Sequence, residues 1–217
     1  MAPFLAFIEG PFARLNLEAD VANFAVGNPQ GMPLPAYVDA LRLHVVPQDK
    51  DWFAYKLSEP ASQRTVAATL SARTGLDWDP DDVAMTNGGF AALAVALRTL
   101  VEPGDEVVFV SPPWFFYEIL VLMAGGEPVR VKLDPPSFDL DVDRIAAAIT
   151  PRTRVVLINS PHNPTGRVLD ETELAAVADV ARRHDLIVVT DEVYEHLTFD
   201  GREHVPLSTL PGMAGRT

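Results

Sequence analysis

Three apolar runs of the kind that form buried strands recur in this chain, Val107-Val108-Phe109-Val110, Val155-Val156-Leu157-Ile158 and Leu186-Ile187-Val188-Val189, with a further strand-like segment, Val129 to Leu133, between the first two. From Val107 to Val129 is 22 residues, from Val129 to Val155 is 26, and from Val155 to Leu186 is 31. Gaps of that length suit a strand, a helix crossing back over the sheet, and the next strand. Such βαβ spacings predict a parallel sheet covered on both faces. The fold class this predicts is α/β, a mostly parallel sheet with helices on both faces.

The intervening segments read as helices. Tyr117 to Met123 is stopped by Gly125-Gly126, and Asp141 to Ile149 is closed by Thr150-Pro151. The clearest helix follows Asp170, with Glu173 placed to complete a capping box. Leu174, Val177, Ala178 and Ala181 then share one face, and Arg182, Arg183 and His184 complement the dipole at its end. Further upstream, Val83-Ala84-Met85-Thr86 reads as a short strand, followed by Asn87-Gly88-Gly89 and a helix through Leu93 and Leu97. A helix from Ser62 to Thr74 ends at Gly75. Residues 1–50, broken by Pro3, Pro11, Pro29, Pro33, Pro35 and Pro47, read as an N-terminal arm with one helix, Ala36 to Val46. Residues 51–217 form the main domain.

Composition narrows the function. Apolar residues make up 48%, enough for a core, and the net charge of −13 without basic runs disfavours nucleic acid and anionic membranes. The chain contains no cysteine, which removes disulfides and thiol catalysis and fits a cytoplasmic protein. Glu9 directly after the apolar start and the lack of a basic leader argue against a signal peptide. No uncharged apolar run approaches the ~20 residues of a membrane span.

Polar clusters sit where the strand-like runs stop. Asn159-Ser160-Pro161-His162-Asn163-Pro164-Thr165-Gly166 follows one, and Asp191-Glu192-Val193-Tyr194 follows another. Ligands of parallel α/β sheets bind outside the carboxyl ends of strands, so two such clusters suggest one site. Thr86-Asn87-Gly88-Gly89-Phe90 leads into a helix N-terminus suited to an anion, yet lacks the lysine of a P-loop and the third glycine of a dinucleotide fingerprint. Trp114, after Ser111-Pro112-Pro113, can present a flat face to a ring; Phe115, Phe116 and Tyr117 read as core. Taken singly, Asp191 is as well explained by a cap or an ion pair, and Asn163 by a turn. His162 reads as a satisfied turn histidine, with no companion at metal-ligand spacing, so no metal is expected.

Taken in order, these motifs, with Gly27-Asn28-Pro29 before them and Leu210-Pro211-Gly212-Met213 after them, resemble the class I/II aminotransferases, pyridoxal 5'-phosphate (PLP) enzymes of fold type I. The resemblance implies that 1–50 is an arm joining a small domain and 51–217 an incomplete PLP-binding large domain. It implies that Asp191 pairs with the protonated pyridine nitrogen, that Asn163 and Tyr194 hydrogen-bond the phenolic oxygen, and that Trp114 stacks on the ring. The amides of Gly89, Phe90 and Ala91 would cradle the phosphate, Tyr55 would reach a neighbouring subunit's phosphate, and Gly27 and Asn28 would lie near the substrate carboxylate. Phe90 stands where the family often has a serine, so only its backbone can serve. Tyr55 lacks the glycine usual a few residues on.

The family's Schiff-base lysine lies in a Ser-x-Ser-Lys-type motif soon after the Pro-Gly-Met segment. The sequence ends at Thr217, short of that motif, and Lys50, Lys56 and Lys132 do not sit in that context. The expectation is a truncated aminotransferase, inactive alone, whose first strand (Val83–Thr86) loses its neighbours and whose family form is a homodimer acting on an amino acid and a 2-oxo acid. A PLP-dependent C–S lyase of the same fold and a non-catalytic PLP-binding or dimerising remnant are the alternatives.

Overall fold

The computed structural model describes Leu5, Ala6, Glu9, Gly10, Gly27 and residues 31–217. The chain forms two compact units, Met1–Leu57 and Ser58–Thr217. In the first, helix α1 spans Pro35–His44. Its proline sits at the first helical position, where a missing N–H has no intrahelical partner to lose. Trp52 closes the end of α1: its Nε1 donates to the His44 carbonyl at 3.0 Å, and the two rings stack at 6.1 Å with planes 2° apart.

The second unit begins with α2, Pro60–Thr74, which Gly75 terminates in the left-handed conformation at φ +72°, its N–H donating to Ser71 O at 2.9 Å. Then follow α3 (Gly88–Leu100), β1 (Glu106–Ser111), α4 (Tyr117–Ala124), β2 (Glu127–Lys132), α5 (Val142–Ala148), β3 (Thr153–Asn159), α6 (Glu171–Arg183) and β4 (Ile187–Asp191). The four strands pair in the order β2-β1-β3-β4, and every pair is parallel. The predicted capping box forms at α6, with Asp170 Oδ1 accepting from Glu173 N at 2.9 Å and Glu173 Oε2 accepting from Asp170 N at 3.1 Å.

The central strands β1 and β3 each feed two cores because successive strand residues point to opposite faces, whereas the edge strand β2 gives Val129 and Val131 to one core only. Val107 and Phe109 of β1 with Val155 and Leu157 of β3 pack against Leu93 and Leu97 of α3 and Leu120 and Val121 of α4. Val108, Val110, Val156 and Ile158 pack instead against Ile145 of α5 and Leu174, Val177 and Ala181 of α6. Travel along the sheet reverses after β2: α4 leads to one side of β1, whereas α5 and α6 lead to the other. With crossovers of one hand, a reversal puts the connecting helices on opposite faces. It also opens a crevice between the carboxyl ends of β1 and β3, where doubly wound sheets hold their ligands.

One predicted element is corrected. Val83–Thr86 is extended but is not a strand, because among the described residues no segment pairs with it. Strand identity lies in the partner rather than in the local sequence. Here the Val83 carbonyl accepts from Gln63 Nε2 at 2.8 Å instead, tying the segment to α2.

Candidate functional site

At the carboxyl end of the sheet, side chains from α3, the β1–α4 loop, the β3–α6 loop and the end of β4 enclose a cavity of about 170 Å³. Its walls include Gly89, Phe90, Trp114, Asn163, Asp191 and Tyr194, together with Tyr117 and Asn159. Six of the residues singled out in the sequence thus converge on one place. A cavity of this order accommodates a single aromatic ring.

Asp191 is the last residue of β4, where the sheet stops supplying partners, and both its carbonyl and its carboxylate are anchored. Its carbonyl accepts from Asn159 Nδ2 at 2.8 Å and Ser160 N at 3.2 Å. Its Oδ1 accepts from Val193 N at 3.2 Å, and its Oδ2 accepts from the Tyr117 hydroxyl at 2.7 Å. Among the described residues no cationic side chain pairs with it. A half-buried carboxylate with neutral donors only retains a charge that favours a cationic partner.

Asn159 connects the two polar clusters. Buried at the end of β3, it donates to Asp191 and accepts from Asn163 N through Oδ1 at 2.7 Å, fixing the loop that carries Asn163. Sequence reading left its role unassigned; the available signal was a polar residue closing a buried apolar strand. Tyr117 is core as expected, 2% exposed, and it is also the hydroxyl donor to Asp191. Burial, and then the neighbouring Asp191 charge, push its phenol well above the ordinary range, so it remains a donor. Phe115, also expected in the core, is 40% exposed; it lies at the start of the loop-to-helix turn and packs on Phe116 at 4.4 Å between ring centroids.

The aromatic wall is built from edge contacts. Phe90 meets Trp114 at 5.8 Å and Phe116 at 5.1 Å, both near perpendicular, and Tyr117 meets Trp114 edge-on at 5.3 Å. Gly89 and Phe90 hold the second and third positions of α3, where amides have no intrahelical partner, and the N-cap residue Asn87 makes no side-chain cap. Ala91 holds the fourth position, where the helical ladder begins, and it does not line the cavity. Tyr55 and Gly27 belong to the other unit, where both are exposed; Asn28 lies outside the described residues.

His162 is the satisfied turn residue expected. Its Nδ1 lies 2.7 Å from Thr165 Oγ1, its N–H donates to Arg167 O at 2.8 Å, and burial lowers its pKa to about 4. Beyond Asp191, Glu192, Glu195 and His204 bring ligand atoms within 4.8 Å of one another. Arg73 already pairs with Glu195, and His204 Nε2 stands 3.3 Å from Glu192 Oε2, so we assign no metal there.

Residues 19–216 match the family model for aminotransferase class I and II. The chain belongs to this family. It is 49% identical over 158 residues to the probable N-succinyldiaminopimelate aminotransferase DapC of Mycobacterium tuberculosis, covering 71% of this chain and 40% of that protein. It is 34% identical to human kynurenine–oxoglutarate transaminase 1, covering 95% of this chain and 52% of the relative. The solved N-succinyldiaminopimelate aminotransferase from Mycobacterium tuberculosis superposes with a TM-score of 0.81 at 41% identity, over 88% of this chain and 50% of that one. The chain therefore spans about half the length of the relatives it matches. The fold is that of the fold type I aminotransferases, and the family is PLP-dependent.

The cavity fits PLP on the chemistry of its donors. It offers an uncompensated carboxylate for a protonated ring nitrogen, free first-turn amides for a phosphate and a flat indole for the ring.

Proposed function

We propose that this chain provides the ring-holding part of a PLP-dependent aminotransferase, one that moves an amino group between an amino acid and a 2-oxo acid and works as a cytoplasmic homodimer. The observation that carries this reading is Asp191: a carboxylate fixed by neutral donors, facing a ring-sized cavity, with no cation of its own among the described residues. In this reading Asp191 accepts a hydrogen bond from the protonated pyridine nitrogen. Such charge-assisted bonds are about twice as strong as neutral ones. Asn163 and Tyr194 donate to the phenolic oxygen, Trp114 covers one ring face, and the amides at the start of α3 receive the phosphate. Gly27 and Asn28 are assigned to the substrate carboxylate, and Tyr55 to a neighbouring subunit's phosphate. When bound, PLP supplies the electron sink that makes an amino acid's α-proton removable.

Among the described residues no lysine lines the cavity. Lys132 ends the edge strand β2, with its ammonium 3.9 Å from Asp134. The reading therefore expects the 217-residue chain to bind PLP reversibly, quenching Trp114 fluorescence, with no specific lysine labelled on borohydride reduction. Asp191→Asn should weaken binding about tenfold to a hundredfold, the range of one hydrogen bond to a charged group. Unchanged affinity in that variant would sink the assignment.

A further inference from the structure

Among the described residues the Tyr117 hydroxyl is the one side-chain hydrogen-bond donor to the Asp191 carboxylate, and it arrives from 74 residues away, at the first turn of α4. The ring carrying it is locked in the core by edge contacts with Phe109 at 6.3 Å and Trp114 at 5.3 Å. Its position is therefore set by packing rather than by Asp191. With Val193 N on the other oxygen, the carboxylate is held at both ends before any ligand arrives.

The chemical nature of the donor matters. A guanidinium or ammonium in this place would fix the carboxylate and also neutralise it. A phenol fixes it and leaves the negative charge in place, available to whatever enters the cavity.

We infer that Tyr117 is a positioning residue: its hydroxyl orients Asp191 while leaving it charged, so that the site discriminates for a ring bearing a protonated nitrogen. This rests on the PLP reading above and adds to it the residue that makes Asp191 selective. A carboxylate free to turn must be ordered when the ring binds, whereas one already held has less to lose. The hydroxyl should thus affect recognition of the ring nitrogen, and not recognition of the ring or the phosphate.

The test titrates the 217-residue chain with PLP and with 1-deaza-PLP, in which a carbon replaces the ring nitrogen. The wild-type chain should prefer PLP by tenfold or more. Tyr117→Phe should cut that preference about fivefold, through weaker PLP binding, while affinity for the deaza analogue stays within about twofold. In an Asp191→Asn background the same substitution should change neither affinity further. 4-Fluorophenylalanine at position 117 fills the hydroxyl's space without donating, and gives the same reading if Tyr117→Phe does not fold.

Equal weakening toward both compounds would make the hydroxyl a packing group only and overturn the inference, with the PLP assignment intact. No change toward either compound overturns it in the same way. A wild-type chain that binds no PLP, or does not distinguish the two compounds, overturns the assignment of Asp191 and this inference together.

Discussion

Two carboxylates at opposite ends of the sheet have been given opposite fates. Glu106 opens β1 at the amino end and is 4% exposed. Its Oε2 accepts from Thr150 Oγ1 at 2.6 Å and Thr153 Oγ1 at 3.1 Å, and Arg152 pairs with Oε1. The Thr150 hydroxyl first of all, then Thr153 and Arg152, hold it below the usual carboxylate range against the opposing effect of burial. Its capacity is used up, and what it does is staple the start of β1 to the turn before β3. Asp191, at the carboxyl end, is also anchored, but by neutral groups and with one side open to a cavity. A charge that is matched holds structure together, whereas a charge that is only positioned is available for binding.

The largest effect expected concerns a third titratable group, His162, because it stands at the site end yet behaves as structure. Burial holds its pKa at about 4, against 6.5 when free. Between those values the unfolded chain takes up a proton that the folded chain refuses, so stability falls as pH drops from 6.5 toward 4. The total is on the order of 3 kcal/mol. Urea unfolding at a series of pH values should show this slope, and His162→Asn should remove most of it. A slope unaffected by the substitution would move His162 out of the structural group.

Glu106→Ala should destabilise the second unit by about 2 to 3 kcal/mol, since it leaves Thr150 and Thr153 without their shared acceptor. PLP affinity under native conditions should not change. Because the folded pKa of Glu106 is depressed from 4.5, its contribution is present above that value and fades as pH falls further, later than the His162 effect. If Glu106→Ala weakened PLP binding as strongly as Asp191→Asn, the contrast between the two ends would fail.

Asp191→Asn should do the reverse: lose PLP as described above, while shifting the urea midpoint by no more than about 0.5 kcal/mol equivalent, as for a group not paired with a charge. A loss of several kcal/mol would reclassify Asp191 as a structural anchor. Among the groups that only hold structure, the smallest effect belongs to the Asp170 cap of α6, remote from both carboxylates. Asp170→Ala should lower stability by about 1 kcal/mol, with PLP binding intact.

Where local rules suffice, the sequence was readable. The capping box at Asp170 and Glu173 and the glycine stop at Gly75 form as read, because caps and turns are decided by a few adjacent residues, and the four strands from β1 to β4 form where their segments were expected. Val83–Thr86 has the residues of a strand but, as the missing neighbours imply, no partner among the described residues, and a strand exists only with a partner. In the site, Asp191, Asn163, Trp114 and Tyr194 were visible as polar or aromatic residues at strand ends. Tyr117 was hidden because its aromatic neighbours and apolar helix make it indistinguishable from core until its hydroxyl is placed.

By itself the sequence determined that the chain alternates strands and helices and that polar groups gather where strands end. Periodicity and spacing carry that information without reference to distant residues. Only the tertiary structure decided the strand order β2-β1-β3-β4, and so where the crevice opens. It alone brought a phenol from α4 to within 2.7 Å of a carboxylate on β4. Contacts across 74 residues are fixed by how helices pack on the sheet, which no local pattern encodes. The strand end at Asp191 was legible from the start; the donor that holds its charge in place was not.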